Sequence, residues 1–547
     1  MHPRLGGHAL VEQMLQHGVE LAFCVPGESY LAVLDGLYDV RDRVRLVTTR
    51  HEGGAAMMAA AHGRLTGRPG VALVTRGPGA TNASIGVHIA AQDASPMVLF
   101  VGHVATGELG RGTFQEVDHR AMFAPLAKAV LQADSADRIP EVVARAFNTA
   151  VSGQPGPVVV ALPEDVLLRT TDAPAVPAAL PAATEPGRAE VEAVLAELSA
   201  AERPVIVAGG SCWDEGATDA LRGFAEARGL PLVTAVRQQD LVRNDSPAYV
   251  GTLGLGTTAG LADLLRDADV VVLLGSRPDG LTAAEGGWLR APLPLQRLVH
   301  IHPDPSVPNS VFRASRAVIA RPDSFVAALA GASPEAPAED RGASAYAVKC
   351  AAPAAGGWVS RLRENYLRAR DDSTCCGGAE YMRELNARVS KDAFMTAGAG
   401  SYTAWHQRHR SYVSYPSQVA TQAGAMGYGI PAAITAKLLH PGRQAVAFAG
   451  DGCFSMTGQE LATAVDCAAD ILVIVVNNGR LGTIRDHQER RFPGRVSGTA
   501  LRNPDFPALA RAYGAYGRRA GTPESFGEAL EEALDHEGPA LVEVLVP

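Results

Sequence analysis

QAVAFAGDGCFSMTGQELATAVDCAADILVIVVNN, residues 444–478, decides how this chain is read. Its two apolar runs, QAVAFA and ILVIVV, have the uninterrupted character of parallel strands covered on both faces. Each stops at a polar turn, Gly450-Asp451-Gly452 after the first and Asn477-Asn478 after the second. The segment between them has room for one crossover helix, so both polar ends are expected at the same edge of a parallel sheet. Asp451 and Asn478 then offer a carboxylate and an amide oxygen. Hard oxygen donors of this kind, completed by water and phosphate oxygens, suit Mg²⁺. The flanking glycines let backbone N–H groups approach a diphosphate closely. Either dipeptide alone reads as an ordinary turn. The pair, each directly after an apolar strand, points to a site.

The same βα rhythm runs outward through the chain. VALVT (Val71–Thr75) and PMVLFVG (Pro96–Gly102) alternate with Ala-rich helical stretches. PVIVAGG, LPLVTA and DVVVLLG do so further on. Two Pro/Ala-rich stretches, Asp172–Gly187 and Gly331–Gly357, lack periodic apolar residues and read as connectors. They predict three doubly wound α/β domains with parallel sheets, spanning 1–171, 188–332 and 358–547.

The bulk numbers exclude some classes. With 49 basic and 58 acidic residues the net charge is −9, without the footprint of a nucleic-acid binder. The basic run Arg485–Arg495 is broken by Asp486 and Glu489 and reads as a solvated or lid segment. Seven scattered cysteines, with Cys375 and Cys376 adjacent, form no disulfide framework or zinc pattern. No uncharged apolar run is long enough to span a bilayer, and the first residues lack the order of a secretory leader. A cytoplasmic protein with reduced thiols is expected.

The GDG…NN segment resembles the cofactor motif of the thiamine-diphosphate (ThDP) enzymes. The resemblance covers nearly the whole chain and is to the acetolactate synthase branch. It is carried also by RHEGGAAMMAAAHGRLTGRPGVALVTRGPGATN (Arg50–Asn82), GRGTFQEVD (Gly110–Asp118), QPGPVVVALPEDV (Gln154–Val166) and AGAMGYGIPAA (Ala423–Ala433). It implies pyrimidine-binding, central and diphosphate-binding domains, with ThDP and Mg²⁺ as cofactors. Glu52 takes the place of the acid that activates the cofactor through its pyrimidine N1′. Met426 matches the apolar wedge between the cofactor's rings, and the Gly424 backbone would accept from its amino group. Pro26, Gly27, Gly398, Ala399, Gly400, Gly450, Gly452, Cys453 and Gly482 fall at cofactor-binding positions. Asp451, Asn478 and the main-chain carbonyl of Arg480 would ligate Mg²⁺. Phe114, Gln115, Thr483 and Ile484 fall in the substrate pocket, with Gln115 placed to donate to a substrate carbonyl. In the family, Glu52 and the Asp451 site meet across a subunit interface, which implies a homodimer or homotetramer.

Departures from the branch bear on the reaction. The family has a Lys where LPEDV places Glu164, and an Arg that anchors the acceptor's carboxylate where Leu281 stands in RPDGL. His487 aligns with a Trp over the active site; it reads either as a pocket acid/base or as a surface residue in RDHQERR. Loss of a bidentate Arg–carboxylate contact disfavours a second 2-oxo acid as acceptor. The expectation is therefore a 2-oxo acid decarboxylase and carboligase that is not a standard biosynthetic acetolactate synthase. A 2-hydroxyacyl-CoA lyase or oxalyl-CoA decarboxylase type, and a flavin-dependent 2-oxo acid oxidase, are the alternatives. Gln154 replaces an Arg near the family's flavin, and His300-Ile301-His302-Pro303-Asp304 replaces the ribose-reading acidic motif, so FAD is possible but not favoured. His300 and His302 read as structural. Retention of Glu52, Asp451 and Asn478 together argues against a non-catalytic homologue.

Overall fold

A computed structural model describes residues 3–254, 257–258, 260–277, 282, 287–332, 357–372 and 377–546. Leu281 and the Cys375–Cys376 pair lie outside the described residues. The chain divides into two compact units. One comprises Met1–Pro181, Phe394–Thr403 and Val419–Pro547; the other comprises Ala182–Ala393 and Ala404–Gln418.

Three six-stranded sheets, each flanked by helices, organise these units. The first contains β1 (Leu21–Cys24), β2 (Arg45–Thr48), β3 (Gly70–Val74), β4 (Met97–His103), β5 (Ala129–Gln132) and β6 (Pro157–Pro163), in the order β2-β1-β3-β4-β6-β5. The second contains β7 (Pro204–Ala208), β8 (Leu232–Thr234), β9 (Tyr249–Thr252), β10 (Val270–Leu274), β11 (Arg297–His302) and β12 (Arg316–Ile319), in the order β9-β8-β7-β10-β11-β12. The third contains β13 (Phe394–Ala397), β14 (Gln418–Ala420), β15 (Ala445–Gly450), β16 (Ile471–Asn477), β17 (Tyr516–Ala520) and β18 (Ala540–Leu545), in the order β14-β13-β15-β16-β18-β17. The first and third sheets thus repeat one topology. The middle sheet has the order of a dinucleotide-binding fold, which reverses between β7 and β10.

The central strands are buried on both faces, as their unbroken Val/Ile/Leu runs require: β4, β6 and β15 have no exposed residue. Pairing is parallel, with Gly450 level with Val476 across β15 and β16. A polar residue following either strand therefore emerges at the same sheet edge.

Six helices position the functional residues. They are α1 (Glu52–Thr66), α2 (Gly77–Gln92), α3 (Gly429–Leu439), α4 (Asp451–Thr457), α5 (Glu460–Asp466) and α6 (Gly482–Arg491). In α1, every residue from Gly53 to Ala61 is buried, so the helix is small and apolar all round instead of amphipathic. That composition permits close approach. A Cβ on Gly86 of α2 would fall 2.5 Å from the Ala56 carbonyl carbon, and the Thr435 hydroxyl of α3 donates to the Met58 carbonyl at 3.3 Å. His51 caps the start of α1 by accepting from the Gly53 N–H at 3.0 Å, and Gly67 ends it in the left-handed region at φ 66°. By contrast α6 has no buried residue.

Candidate active site

The ends of β15 and β16 build one half of the site. Asp451 opens α4 and is only 3% exposed. Its Oδ1 accepts from the Gly452 N–H at 2.9 Å and its Oδ2 from the Asn503 amide at 2.7 Å. The same Asn503 nitrogen donates to Asn477 Oδ1 at 2.9 Å, and the Asn477 amide donates to Glu543 at 2.7 Å. Arg519 closes this polar chain by donating to Glu543 at 2.6 Å. Asn478 Oδ1 accepts from the Arg480 N–H at 3.2 Å. Arg480 faces Ala500 in an isolated bridge whose two hydrogen bonds use the carbonyls of Gly479 and Thr499, not that of Arg480.

This donor set fits a divalent cation. A buried carboxylate is costly unless charge-compensated. Among the described residues no Lys or Arg forms an ion pair with Asp451, whose recorded hydrogen-bond donors are both neutral. An oxygen-rich corner whose carboxylate has no paired Lys or Arg among the described residues suits Mg²⁺ better than a softer metal.

A glycine cradle adjoins it. A Cβ on Gly398 would lie 2.6 Å from Cys453 Sγ, and one on Gly450 would lie 2.9 Å from the Tyr402 ring. Gly400, at φ 155°, packs against the same ring. Cys453 Sγ accepts from the Gly427 N–H at 3.0 Å and the Tyr402 hydroxyl at 3.1 Å. A Cβ on Gly452 would meet Leu481 at 2.6 Å and the Met426 methyl at 3.5 Å. Ser401 N–H donates to the Thr483 hydroxyl at 3.0 Å, and Gly482 faces the Asn478 amide. Gly398, Gly400, Met426, Gly450–Cys453, Asn478, Gly482 and Thr483 are thus brought together, with Ala399 between two of the glycines. Gly424 is exposed, at φ 64°, with open space where a Cβ would lie.

The other half lies at the strand ends of the first sheet. Glu52 Oε2 accepts from the Asn82 amide of α2 at 2.9 Å, and Glu52 Oε1 faces the position a Gly79 Cβ would occupy, 3.5 Å away. Gly27, following exposed Pro26, packs against Thr75, which also lies beside Gly79. Gln115 holds a left-handed φ of 62°, a strained conformation for a residue with a side chain. Its carbonyl accepts from the Gly77 N–H at 2.9 Å. Glu116 braces the loop by accepting from the N–H groups of Gly110 and Thr113. Phe114, in the same loop, is 72% exposed.

Some expectations change. Glu164 is not a bare anion, because the Arg76 guanidinium donates directly to it. His487 sits on the exposed α6 with its Nδ1 3.4 Å from Arg490, and Ile484 is also exposed. Within one chain this matches the surface reading of His487. His300 bonds the Ser276 carbonyl and His302 accepts from the Asp304 N–H, and burial pushes both down to about 4, so both are neutral structural groups.

Sequence reading missed Asn82, Tyr402, Asn503 and Glu543. Asn82 and Tyr402 stand inside or beside motifs that were quoted. Asn503 and Glu543 carry no local signal, being 52 and 66 residues from their partners.

Comparison with known proteins agrees with this geometry. The N-terminal TPP binding domain of thiamine pyrophosphate enzymes matches residues 4–122, the central domain 191–329 and the C-terminal TPP binding domain 398–544. The chain is 30% identical to the acetolactate synthase large subunit of Corynebacterium glutamicum over 99% of its own length and 86% of the relative's. It is 31% identical to the acetolactate synthase isozyme 2 large subunit of Escherichia coli, covering 99% and 95%. It is 32% identical to the acetolactate synthase of Mycobacterium bovis, covering 96% and 85%. The paired strand ends, the glycine cradle and these full-length similarities place the chain in the thiamine pyrophosphate enzyme family, as a homologue of acetolactate synthase large subunits.

Proposed function

We propose that the protein is a ThDP- and Mg²⁺-dependent carboligase that decarboxylates a 2-oxo acid and joins the remaining acyl carbon to a second, uncharged carbonyl compound. The observation that carries this reading is the buried Asp451 carboxylate, held by neutral donors at the rim of a glycine cradle. Asp451, Asn478 and the Arg480 carbonyl would hold the metal. The 398–400 and 450–453 backbones would hold the diphosphate, with Gly482 beside them. ThDP, when bound, supplies an electron sink next to the carbonyl carbon under attack. Pro26, Gly27 and Gly424 would line the pyrimidine, with Glu52 holding a proton at its N1′ and Asn82 fixing that carboxylate. Met426 would keep the two rings in contact.

Gln115 would donate to the substrate carbonyl, while Phe114, Thr483 and Ile484 shape the pocket and exclude water. Phe114 and Ile484 are exposed in one chain, at 72% and 52%. This supports a homodimer or homotetramer in which each Glu52 half faces an Asp451 half of another copy. There His487 would become a pocket acid/base. Leu281, where the family has a carboxylate-anchoring Arg, supports an aldehyde or ketone as acceptor. The strand order of the second sheet leaves a bound nucleotide such as FAD possible though not favoured, with Gly209 and Gly210 at the β7 end of its crevice.

Carbon dioxide release from pyruvate and a panel of 2-oxo acids, with ThDP and Mg²⁺, tests this reading. Release followed by aldehyde-derived ligation products supports it. No release from any acid by ThDP-loaded protein would favour the acyl-CoA lyase class, and a yellow protein bleached by substrate would favour the oxidase.

A further inference from the structure

Arg76 follows Thr75 in the two-residue link between β3 and α2, immediately before the helix, and its position brackets the Glu52 half of the site. On one side, Thr75 and Gly79 face the Gly27 turn and Glu52. On the other, the Gly77 N–H holds the strained carbonyl of Gln115. Arg76 is itself only 9% exposed. One terminal nitrogen donates to Glu164, and the other lies 3.8 Å from Glu28. Its Nε is buried with no hydrogen-bond partner.

A buried guanidinium with a planar fork is a ready carboxylate receptor. Here the chain's own Glu164 carboxylate occupies one arm of it, and the largely exposed Glu28 adds a second anion 3.8 Å from the other. An incoming carboxylate would have to displace Glu164 and would meet net negative charge. An uncharged carbonyl compound meets no such barrier.

We propose that Arg76, bonded to Glu164 with Glu28 nearby, is a self-occupied carboxylate site that determines acceptor specificity by excluding a second 2-oxo acid. This rests on the carboligase reading and names a residue pair in its acceptor selection. Removing the Glu164 charge unmasks Arg76 as an anchor for an acceptor carboxylate.

The test compares acceptors within each enzyme, so that overall activity cancels. Wild type, Glu164→Gln, Glu28→Gln and the double variant Arg76→Gln/Glu164→Gln are given one 2-oxo acid donor with an aldehyde and a 2-oxo acid competing as acceptors. Glu164→Gln should shift the product ratio toward the 2-oxo acid about tenfold, the worth of one charge-assisted bond over a neutral one. Glu28→Gln should shift it less in the same direction. The double variant should return to the wild-type ratio. An unchanged ratio in folded Glu164→Gln overturns the proposal, as does a shift that persists in the double variant. Should Glu164→Gln not fold, Glu28→Gln decides by the same criterion.

If wild type ligates nothing, the carboligase reading fails and the pair is judged by calorimetry on ThDP-loaded protein. Propionate binding more tightly than propionamide in Glu164→Gln alone keeps the pair as a masked carboxylate site. Equal binding in all variants overturns it.

Discussion

The first and third sheets have the same strand order, yet their strand ends carry opposite equipment. At the end of β15 a buried carboxylate, Asp451, is held by neutral donors and ringed by Gly398, Gly450 and Gly452. At the corresponding edge of the first sheet, Glu52 opens α1 and is pinned by Asn82, with Gly27 and Gly79 nearby. The lesson is that one scaffold presents strand ends and helix starts at a sheet edge, and the residues placed there decide the task. On the proposed reading the third sheet would hold a metal and a diphosphate, and the first would manage a proton.

That division of labour can be broken from either side. The largest effect is expected from Asp451→Ala, which removes the carboxylate proposed to hold the metal. ThDP affinity in Mg²⁺ should fall about 100-fold or more, read by calorimetry, with little change in the fold by circular dichroism. Glu52→Gln should leave ThDP affinity within a few-fold of wild type. It should lower the carbon dioxide release rate about 10²- to 10⁴-fold, the usual worth of a positioned acid/base group. If both variants lose binding equally, the two halves are not specialised as described. Asn82→Ala should cost about tenfold in rate, because Glu52 loses one hydrogen bond but keeps its place at the start of α1.

A smaller effect separates the two sheets by pH. Beside the first sheet, His119 is 2% exposed, with burial pushing it down to about 4, and it packs edge-on against the buried His103. Between the ordinary value near 6.5 and about 4, the unfolded chain binds this proton and the folded chain does not. Stability from neutral His119 is therefore complete above about pH 6.5 and is lost as pH falls toward 4. His119→Phe should raise stability at pH 5 by about 2 kcal/mol relative to its effect at pH 8, measured by urea unfolding. An equal effect at both pH values would mean that the packing and not the proton matters.

The α/β fold was legible because buried parallel strands write themselves as continuous apolar runs. The Asp451–Asn478 pairing was legible because each residue directly follows such a run, and parallel register then fixes which edge they share. What surrounds them was not legible. Asn503 reaches Asp451 from a loop 52 residues away, and Arg76 reaches Glu164 across 88. No local period records either contact. Glu164 looked like an added anion for that reason, and the structure shows it as half of an ion pair. The repeat of the first sheet's topology in the third also left no trace in the motifs, because strand order is a property of crossovers and not of any one strand.

The central claim is that the third sheet's edge is a metal-assisted diphosphate site. Titrating ThDP into the protein, once with Mg²⁺ and once with a chelator, tests it most directly. The account predicts micromolar or tighter binding with Mg²⁺ and binding about 100-fold weaker without it. Equal affinity in both conditions, or no binding in either, would contradict it.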